Sequence, residues 1–190
     1  MVAVREAVNA SLTERETAIA EQWDRHGGSA ILDPSRLQHG RLIFSPLQHF
    51  YASCFDDFEA GLPNALDLGC GSGDNLIRLV QTGVVRHATG LEVSAQMVAN
   101  AEQLRRHFGI PADRFRIVRG SVEAIDLPER FSLILATQIL GYIDDVDAFM
   151  RRAAGFVAPD GYLFVPDRAR RSLTPIQAVK NAAWVRRLFG

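Results

Sequence analysis

The sequence is poor in cysteine and carries no excess of charge of either sign. Its two cysteines, Cys54 and Cys70, are too few for a disulfide framework or a cysteine metal site. The formal net charge of −1 and the lack of a basic stripe argue against a nucleic-acid substrate. No apolar run is long enough to span a membrane, and Arg5 and Glu6 interrupt any early signal-like stretch. We therefore expect a cytoplasmic protein with no metal, nucleic-acid or membrane partner.

Lysine is almost absent, whereas apolar residues are plentiful. Lys180 is the only lysine, a bias that is typical of a GC-rich bacterial genome. Apolar residues make up 47% of the 190 residues, so one domain of ordinary size can bury a substantial core.

A glycine-rich turn at 69–73 is the most informative segment of the chain. It follows a short apolar run that contains Asp67, and a helix is expected to begin at Asp74. Glycines at alternate positions let the backbone approach a ligand closely, and the free N–H groups of the next helix face the same space. The spacing does not fit a dinucleotide fingerprint, because Gly73 comes one position early and Asp74 stands where the last glycine belongs.

The pattern Asp-x-Gly-x-Gly-x-Gly at 67–73 resembles motif I of the class I S-adenosylmethionine-dependent methyltransferases. Further segments match that family in order, so that the resemblance covers roughly residues 64–167. These matches are the strand ending at Glu92 and the segments 115–123, 131–136 and 158–165. The resemblance implies S-adenosylmethionine as cofactor and S-adenosylhomocysteine as product.

The resemblance also implies a set of cofactor contacts. Glu92, about 20 residues after the turn, would accept hydrogen bonds from the ribose hydroxyls. Asp67 would either pin the loop or meet the ammonium group of the cofactor. Ser121 stands where the family often has an aspartate that accepts from the adenine amino group, so adenine would contact either this hydroxyl or only the N–H of Val122. The expected cofactor residues are Asp67, Gly69, Cys70, Gly71, Gly73, Glu92, Val93, Met97, Ser121, Val122 and Thr137.

Apolar alternation predicts an α/β fold from residue 61 onward. The predicted strands lie near 64–69, 87–92, 115–119, 131–136 and 161–166, and the predicted helices lie near 74–82, 94–107 and 145–156. This order indicates a Rossmann-like, doubly wound parallel sheet of about five strands. We expect residues 61–190 to form the S-adenosylmethionine-binding domain and residues 1–60 to form an N-terminal helical lid segment.

Helix signals in the first 60 residues underlie the predicted lid. Capping boxes at Ser11–Glu14 and at Thr13–Glu16 predict a helix that reaches about Arg25 and stops at Gly27–Gly28. Asp33–Pro34 and Ser45–Pro46 predict the starts of two further helices. The side chains that could close over the site are Trp23, Arg41, His49 and Tyr51.

The C-terminal region departs from the family pattern. Thr174–Pro175 predicts a last helix, and the final two strands that the family usually has find no match. Strand five would then be an exposed sheet edge, which favours pairing with a second copy as a homodimer. A shortened chain, a naturally short chain and an edge supplied by a partner are all open explanations.

The acceptor site is expected at the carboxyl ends of strands four and five. Its candidate residues are Thr137, Gln138, Tyr142, Asp144 and Asp167. Asp167, His49 and Tyr142 are the candidates for a catalytic base, since a protonated nucleophile needs one.

The resemblance favours methyl transfer to an oxygen or nitrogen of a small molecule. The segment 136–139 lacks the Asn-Pro-Pro-aromatic run that the resemblance associates with adenine-N6 and glutamine-N5 methylation. The alternative is a catalytically silent protein of this fold that only binds a cofactor or a partner. A dinucleotide oxidoreductase is disfavoured by the glycine spacing.

Overall fold

Helices and parallel strands alternate along most of the chain. The computed structural model describes residues 12–30, 37–38, 41–42 and 61–166. In chain order the elements are α1 (Glu14–Ala30), β1 (Leu37–Gln38), β2 (Arg41–Leu42), β3 (Leu62–Leu68), α2 (Asp74–Gln81), β4 (Val85–Glu92), α3 (Ala95–His107), β5 (Phe115–Arg119), β6 (Phe131–Leu135), a 3₁₀ helix (Leu140–Tyr142), α4 (Val146–Gly155) and β7 (Val157–Phe164). The strands and helices predicted between residues 61 and 166 are all present.

Five strands form one parallel sheet in the order β5–β4–β3–β6–β7. The chain builds outward from β3 in one direction and then returns to build outward from β3 in the other. Asp67 lies near the carboxyl end of β3, in register with Gly90 of β4 and Leu135 of β6. A crevice opens at the carboxyl ends of the strands where the strand order reverses. The doubly wound Rossmann-like fold is therefore confirmed.

Apolar side chains cover both faces of the sheet. Leu66 and Ile134 pack with α4 on one face, whereas Ala65 and Leu133 pack with α2 and α3 on the other. Alternate residues of one strand thus enter different cores, as the pleat requires. Described helices thus cover both faces, and the strand ends are left open for a cavity.

The helix α1 begins at the second of the two predicted capping boxes and ends later than predicted. The Thr13 hydroxyl accepts the Glu16 N–H at 3.2 Å, and the Glu16 carboxylate accepts the Thr13 N–H at 2.8 Å, which completes the capping box. The predicted stop at Gly27–Gly28 is wrong, because the helix continues to Ala30. Glycine lowers helix stability by only about 1 kcal/mol relative to alanine, so two glycines need not end a helix.

Two further expectations for residues 1–60 have different outcomes. The predicted helix start at Asp33–Pro34 lies outside the described residues, but no helix continues through Leu37–Gln38, since β1 pairs antiparallel with β2. Strand pairing depends on a second segment, which a local start signal at a proline does not reveal. The helix predicted from Ser45–Pro46 lies outside the described residues.

The last described strand contains a bulge where the sequence predicts a turn. Phe131 pairs with Val157 and Leu133 pairs with Tyr162, so β7 holds extra residues at this point. Asp160 has a φ of 61°, and a Cβ atom on Gly161 would lie 2.9 Å from the carbonyl oxygen of Phe131. The strand therefore begins earlier than predicted and passes through the bulge without ending.

Membrane-spanning helices, metal-ligand clusters and cis peptide bonds are absent from the described residues. None of the described helices is long and apolar enough to cross a membrane. No group of three or more His, Cys, Asp or Glu side chains in the described ranges is placed to hold a metal ion. No cis peptide bond occurs there.

Candidate functional site

A cavity of about 330 Å³ lies at the carboxyl edge of the sheet. Its walls come from the turn after β3, the ends of β4 and β6, the turn after β5, the 3₁₀ helix and α1. The lining residues are Glu16, Ile19, Trp23, Asp67, Gly69, Cys70, Gly71, Ser72, Asp74, Asn75, Glu92, Val93, Met97, Val122, Glu123, Thr137, Gln138, Ile139, Tyr142 and Ile143. A cavity of this size suits a small molecule.

The glycine turn brings backbone to the cavity wall. Gly69, Gly71 and Gly73 all have positive φ, at 75°, 55° and 76°. A Cβ atom on Gly73 would lie 2.9 Å from the Phe115 ring, whereas a Cβ atom on Gly71 would meet nothing within 4 Å. Gly73 therefore serves packing, and Gly71 leaves open space beside the cavity.

Glu92 holds the turn in place. Its carboxylate accepts the Gly71 N–H at 2.9 Å and the Ser94 N–H at 2.9 Å. Burial raises the pKa of Glu92, and these backbone donors partly offset that effect. The carboxylate also lines the cavity, so it can accept further hydrogen bonds from a ligand hydroxyl.

Asp67 is a buried carboxylate that accepts no hydrogen bond of ordinary geometry. Its side chain is 1% exposed, and the amide nearest to it, that of Asn75, does not reach such geometry with either oxygen. Burial, reinforced by the nearby charge of Glu92, raises its pKa to about 7, and the nearby Asn75 amide offsets this only in part. An orphaned carboxylate on a cavity wall is a site that a ligand cation can satisfy.

Two neighbours of Asp67 share this low-dielectric environment. Burial raises the pKa of Asp74 to about 7, against a hydrogen bond from the Ser72 hydroxyl at 3.0 Å. Burial, with Asp67 and Glu92 nearby, also raises the pKa of the Cys70 thiol well above its ordinary value. Cys70 packs in the space that Gly90 leaves, since a Cβ atom on Gly90 would lie 2.5 Å from its sulfur. The thiol is thus a packing group and not a nucleophile.

The helix α1 forms the remaining wall through Glu16, Ile19 and Trp23. Ser121 donates its hydroxyl proton to Glu16 and accepts N–H groups from Glu123 at 3.0 Å and Ala124 at 3.2 Å. The Trp23 ring meets the Tyr142 ring edge to face, with centroids 6.0 Å apart.

The structure collects most of the predicted site residues at this cavity. Of the expected cofactor residues, the cavity wall contains Asp67, Gly69, Cys70, Gly71, Glu92, Val93, Met97, Val122 and Thr137. Gly73 and Ser121 are not on the wall but hold residues that are. Their contacts with a cofactor stay predictions.

The acceptor, catalytic and lid candidates divide into three groups. The candidates that line the cavity are Trp23, Thr137, Gln138 and Tyr142. Asp144 is exposed and forms an ion pair with Arg15. The candidates that lie outside the described residues are Asp167, His49 and Tyr51, together with the side chain of Arg41 and the predicted C-terminal helix.

Several wall residues were not predicted from the sequence. Ile139 and Ile143 add apolar side chains to the cavity wall, and Glu16 reaches the cavity from α1. The capping box identified Glu16 as a helix-start residue, but its contact with Ser121 spans 105 positions. No local pattern reveals such a contact.

Comparison with known proteins agrees with this geometry. Residues 66–165 match the family described as "Methyltransferase domain". Two solved structures have the same fold, both of S-adenosylmethionine-dependent methyltransferases in complex with S-adenosylhomocysteine. The one from Geobacter sulfurreducens has a TM-score of 0.60 and 20% identity, covering 89% of this chain and 61% of that one. The one from Thiobacillus denitrificans has a TM-score of 0.58 and 21% identity, covering 74% and 56%.

Curated relatives match over part of their length. A "Ubiquinone biosynthesis O-methyltransferase" of Methylobacterium nodulans is 27% identical over 174 residues, which cover 90% of this chain and 67% of the relative. One of Rhodopseudomonas palustris is 32% identical over 122 residues, which cover 64% and 46%. The chain thus spans about half to two thirds of the length of these relatives. The matched family covers most of the sheet and the cavity residues outside α1. The chain belongs to the methyltransferase domain family, as its resemblance to the class I S-adenosylmethionine-dependent methyltransferases predicted.

Proposed function

We propose that this chain binds S-adenosylmethionine in the cavity and transfers its methyl group to an oxygen or nitrogen of a small molecule. The observation that carries the proposal is the Asp67 carboxylate, which is buried on the cavity wall with no hydrogen-bond partner. The free cofactor carries an ammonium group that would satisfy this carboxylate. The glycine turn, the two carboxylates and the apolar walls of the cavity together fit the chemistry of this cofactor.

Each part of the cofactor has a matching surface. Asp67 would hold the ammonium group, and Glu92 would accept from the ribose hydroxyls while it fixes the Gly71 N–H. Val93, Met97 and Val122 offer apolar walls for a flat base. When bound, S-adenosylmethionine supplies a methyl group that is already electrophilic.

The remaining work of the protein is to position the acceptor and exclude water. The apolar side chains Trp23, Ile139 and Ile143 on the cavity wall suit a small organic acceptor. Tyr142 contacts Trp23 and also lines the cavity, so among the described residues it is the candidate for holding or moving the acceptor proton. Asp167 and His49 stay candidates from the sequence alone.

The named relatives support an acceptor of this kind. They include ubiquinone-biosynthesis O-methyltransferases and, at 25% identity over 78% of this chain, a "Norajmaline N-methyltransferase" of Rauvolfia serpentina. Both oxygen and nitrogen acceptors therefore belong in a screen. A cytoplasmic location and a homodimer through the β7 edge, whose described pairing is with β6, are further proposals.

The first experiment is calorimetric titration of the purified chain with S-adenosylhomocysteine, with NAD as a control ligand. We expect binding of the first ligand alone, because the glycine spacing and Asp67 do not suit a dinucleotide. Glu92→Ala should abolish binding by freeing the Gly71 and Ser94 N–H groups, whereas Glu129→Ala at an exposed position should not.

Transfer of a labelled methyl group to phenols and amines then tests turnover. Binding without transfer to any acceptor would favour the silent cofactor-binding alternative. Failure of the folded wild-type chain to bind S-adenosylhomocysteine would contradict the proposed function itself.

A further inference from the structure

Two carboxylates of α1 fasten this helix to two serines at the carboxyl edge of the sheet. Asp24 meets Ser94, which follows β4, and Glu16 meets Ser121, which follows β5. Between these attachments α1 presents Ile19 and Trp23 to the cavity. The helix therefore spans the cavity wall and is attached on either side of its lining residues.

The Asp24 attachment continues into the glycine turn. Asp24 accepts the Ser94 hydroxyl at 2.5 Å and the Gln96 N–H at 3.0 Å. The Ser94 N–H donates to Glu92 at 2.9 Å, and Glu92 accepts the Gly71 N–H at 2.9 Å. An unbroken chain of hydrogen bonds thus runs from α1 to the backbone of the turn.

The Glu16 attachment continues into a different wall of the cavity. Ser121, which binds Glu16, also accepts the Glu123 N–H and the Ala124 N–H. These donors shape the turn that presents Val122 and Glu123 to the cavity. Glu16 is 9% exposed and is held from its other oxygen by the Thr13 N–H, so its position is fixed from both sides.

A third contact of α1 provides a contrast. Arg15 pairs with Asp144, and their side chains are 43% and 68% exposed. Solvent screens such an exposed pair, which typically contributes little. The attachments through Asp24 and Glu16 are instead partly or wholly buried and lead to cavity-lining backbone.

We propose that Asp24 and Glu16 are positioning residues that couple docking of α1 to cofactor binding. A bound cofactor then stabilises the docked helix, and a docked helix raises the affinity for the cofactor. The inference rests on the proposed function. The two effects must be equal in size, because coupling between two binding equilibria is reciprocal. Loss of either attachment should therefore weaken both the docking of the helix and the affinity for the cofactor.

Trp23 offers a readout of helix docking that needs no turnover. The chain has two tryptophans, so Trp184→Phe leaves Trp23 as the sole emitter. In this background, acrylamide quenching of Trp23 is measured with and without S-adenosylhomocysteine, and calorimetry gives the Kd. The variants are Asp24→Ala, Glu16→Ala and the conservative Asp24→Asn, with Glu21→Ala as a control for charge loss at an exposed position of the same helix.

We expect S-adenosylhomocysteine to protect Trp23 in the wild-type chain. Asp24→Ala and Glu16→Ala should each raise quenching and raise the Kd about tenfold. Asp24→Asn should recover most of the affinity, since its amide oxygen can still accept from Ser94 and Gln96. Glu21→Ala should change neither quantity. Circular dichroism of each variant checks that the sheet remains folded.

Three results would overturn the coupling. They are a Kd within twofold of wild type in both alanine variants, a raised Kd with unchanged Trp23 quenching, and no protection of Trp23 by bound ligand. Each leaves the proposed function standing as long as the wild-type chain binds S-adenosylhomocysteine. Absence of wild-type binding would instead overturn the proposed function.

Discussion

The polar side chains at the two ends of β3 differ in whether hydrogen bonds satisfy them. Near the amino end, Asn64 donates to the Arg130 carbonyl at 3.0 Å and accepts from the Ser132 N–H at 3.0 Å and the Ser132 hydroxyl at 3.3 Å. Near the carboxyl end, Asp67 is more deeply buried and accepts no hydrogen bond. A polar group that serves folding alone is satisfied inside the fold, whereas an unsatisfied one destabilises the protein unless a ligand completes it.

The largest effect that tests this contrast is expected from Asp67→Asn. A raised pKa means that the folded state holds a proton that the unfolded state loses, so stability from this group is present below about pH 4 and is lost as the pH rises to about 7. A shift from 3.8 to about 7 corresponds to about 4 kcal/mol. Relative to wild type, the variant should therefore gain about this much unfolding free energy between pH 4 and pH 8.

Urea unfolding across this pH range measures the gain, with Asp126→Asn at an exposed position as the control. The same Asp67→Asn variant should bind S-adenosylhomocysteine more weakly at pH 8, because it cannot pair with a cation. A gain in unfolding free energy that does not change with pH would remove the ionised carboxylate as its cause.

The glycine turn provides the second test, because Gly73 serves packing whereas Gly71 leaves space beside the cavity. Gly73→Ala should lower the unfolding free energy by about 3 kcal/mol, from a φ of 76° and a clash with the Phe115 ring. Gly71→Ala should lower it by about 1 kcal/mol, since only the φ of 55° opposes the new methyl group.

The losses of cofactor affinity should follow the reverse order to the losses of stability. Gly71 lines the cavity, and a methyl group added there would face the ligand. Gly71→Ala should therefore lower the affinity for S-adenosylhomocysteine more than Gly73→Ala does. Urea unfolding and calorimetry on both variants give the comparison. Equal losses of affinity would show that the turn acts as one unit.

The smallest effect on cofactor affinity is expected at the amino end of β3. Asn64→Ala removes three hydrogen bonds that are partly exposed and should lower the unfolding free energy by about 2 kcal/mol. Its affinity for S-adenosylhomocysteine should equal that of wild type. Asn64→Asp, which keeps the acceptors and loses the donor to Arg130, should fall between. A weakened affinity in either variant would break the separation between the two ends.

Much of the fold and part of the site followed from local pattern. Short apolar segments that alternate with helix patterns, together with the glycine turn, located every strand of the parallel sheet. The carboxylates Asp67 and Glu92 were identified by their place at strand ends. The bulge at Gly161 and the helix through Gly27–Gly28 were not, because both depend on which conformations the surroundings tolerate. Glycine permits a break without requiring one.

The sequence by itself determined the order of elements, the turn at 69–73 and the family resemblance, since each rests on residues close together in the chain. Only the tertiary structure decided what each polar group meets. Glu92 holds Gly71, Ser121 binds Glu16 and Asp67 is left without a partner, although nothing in their local sequence distinguishes these fates. Hydrogen-bond satisfaction depends on groups that folding brings together from distant positions, and so it is a property of the fold.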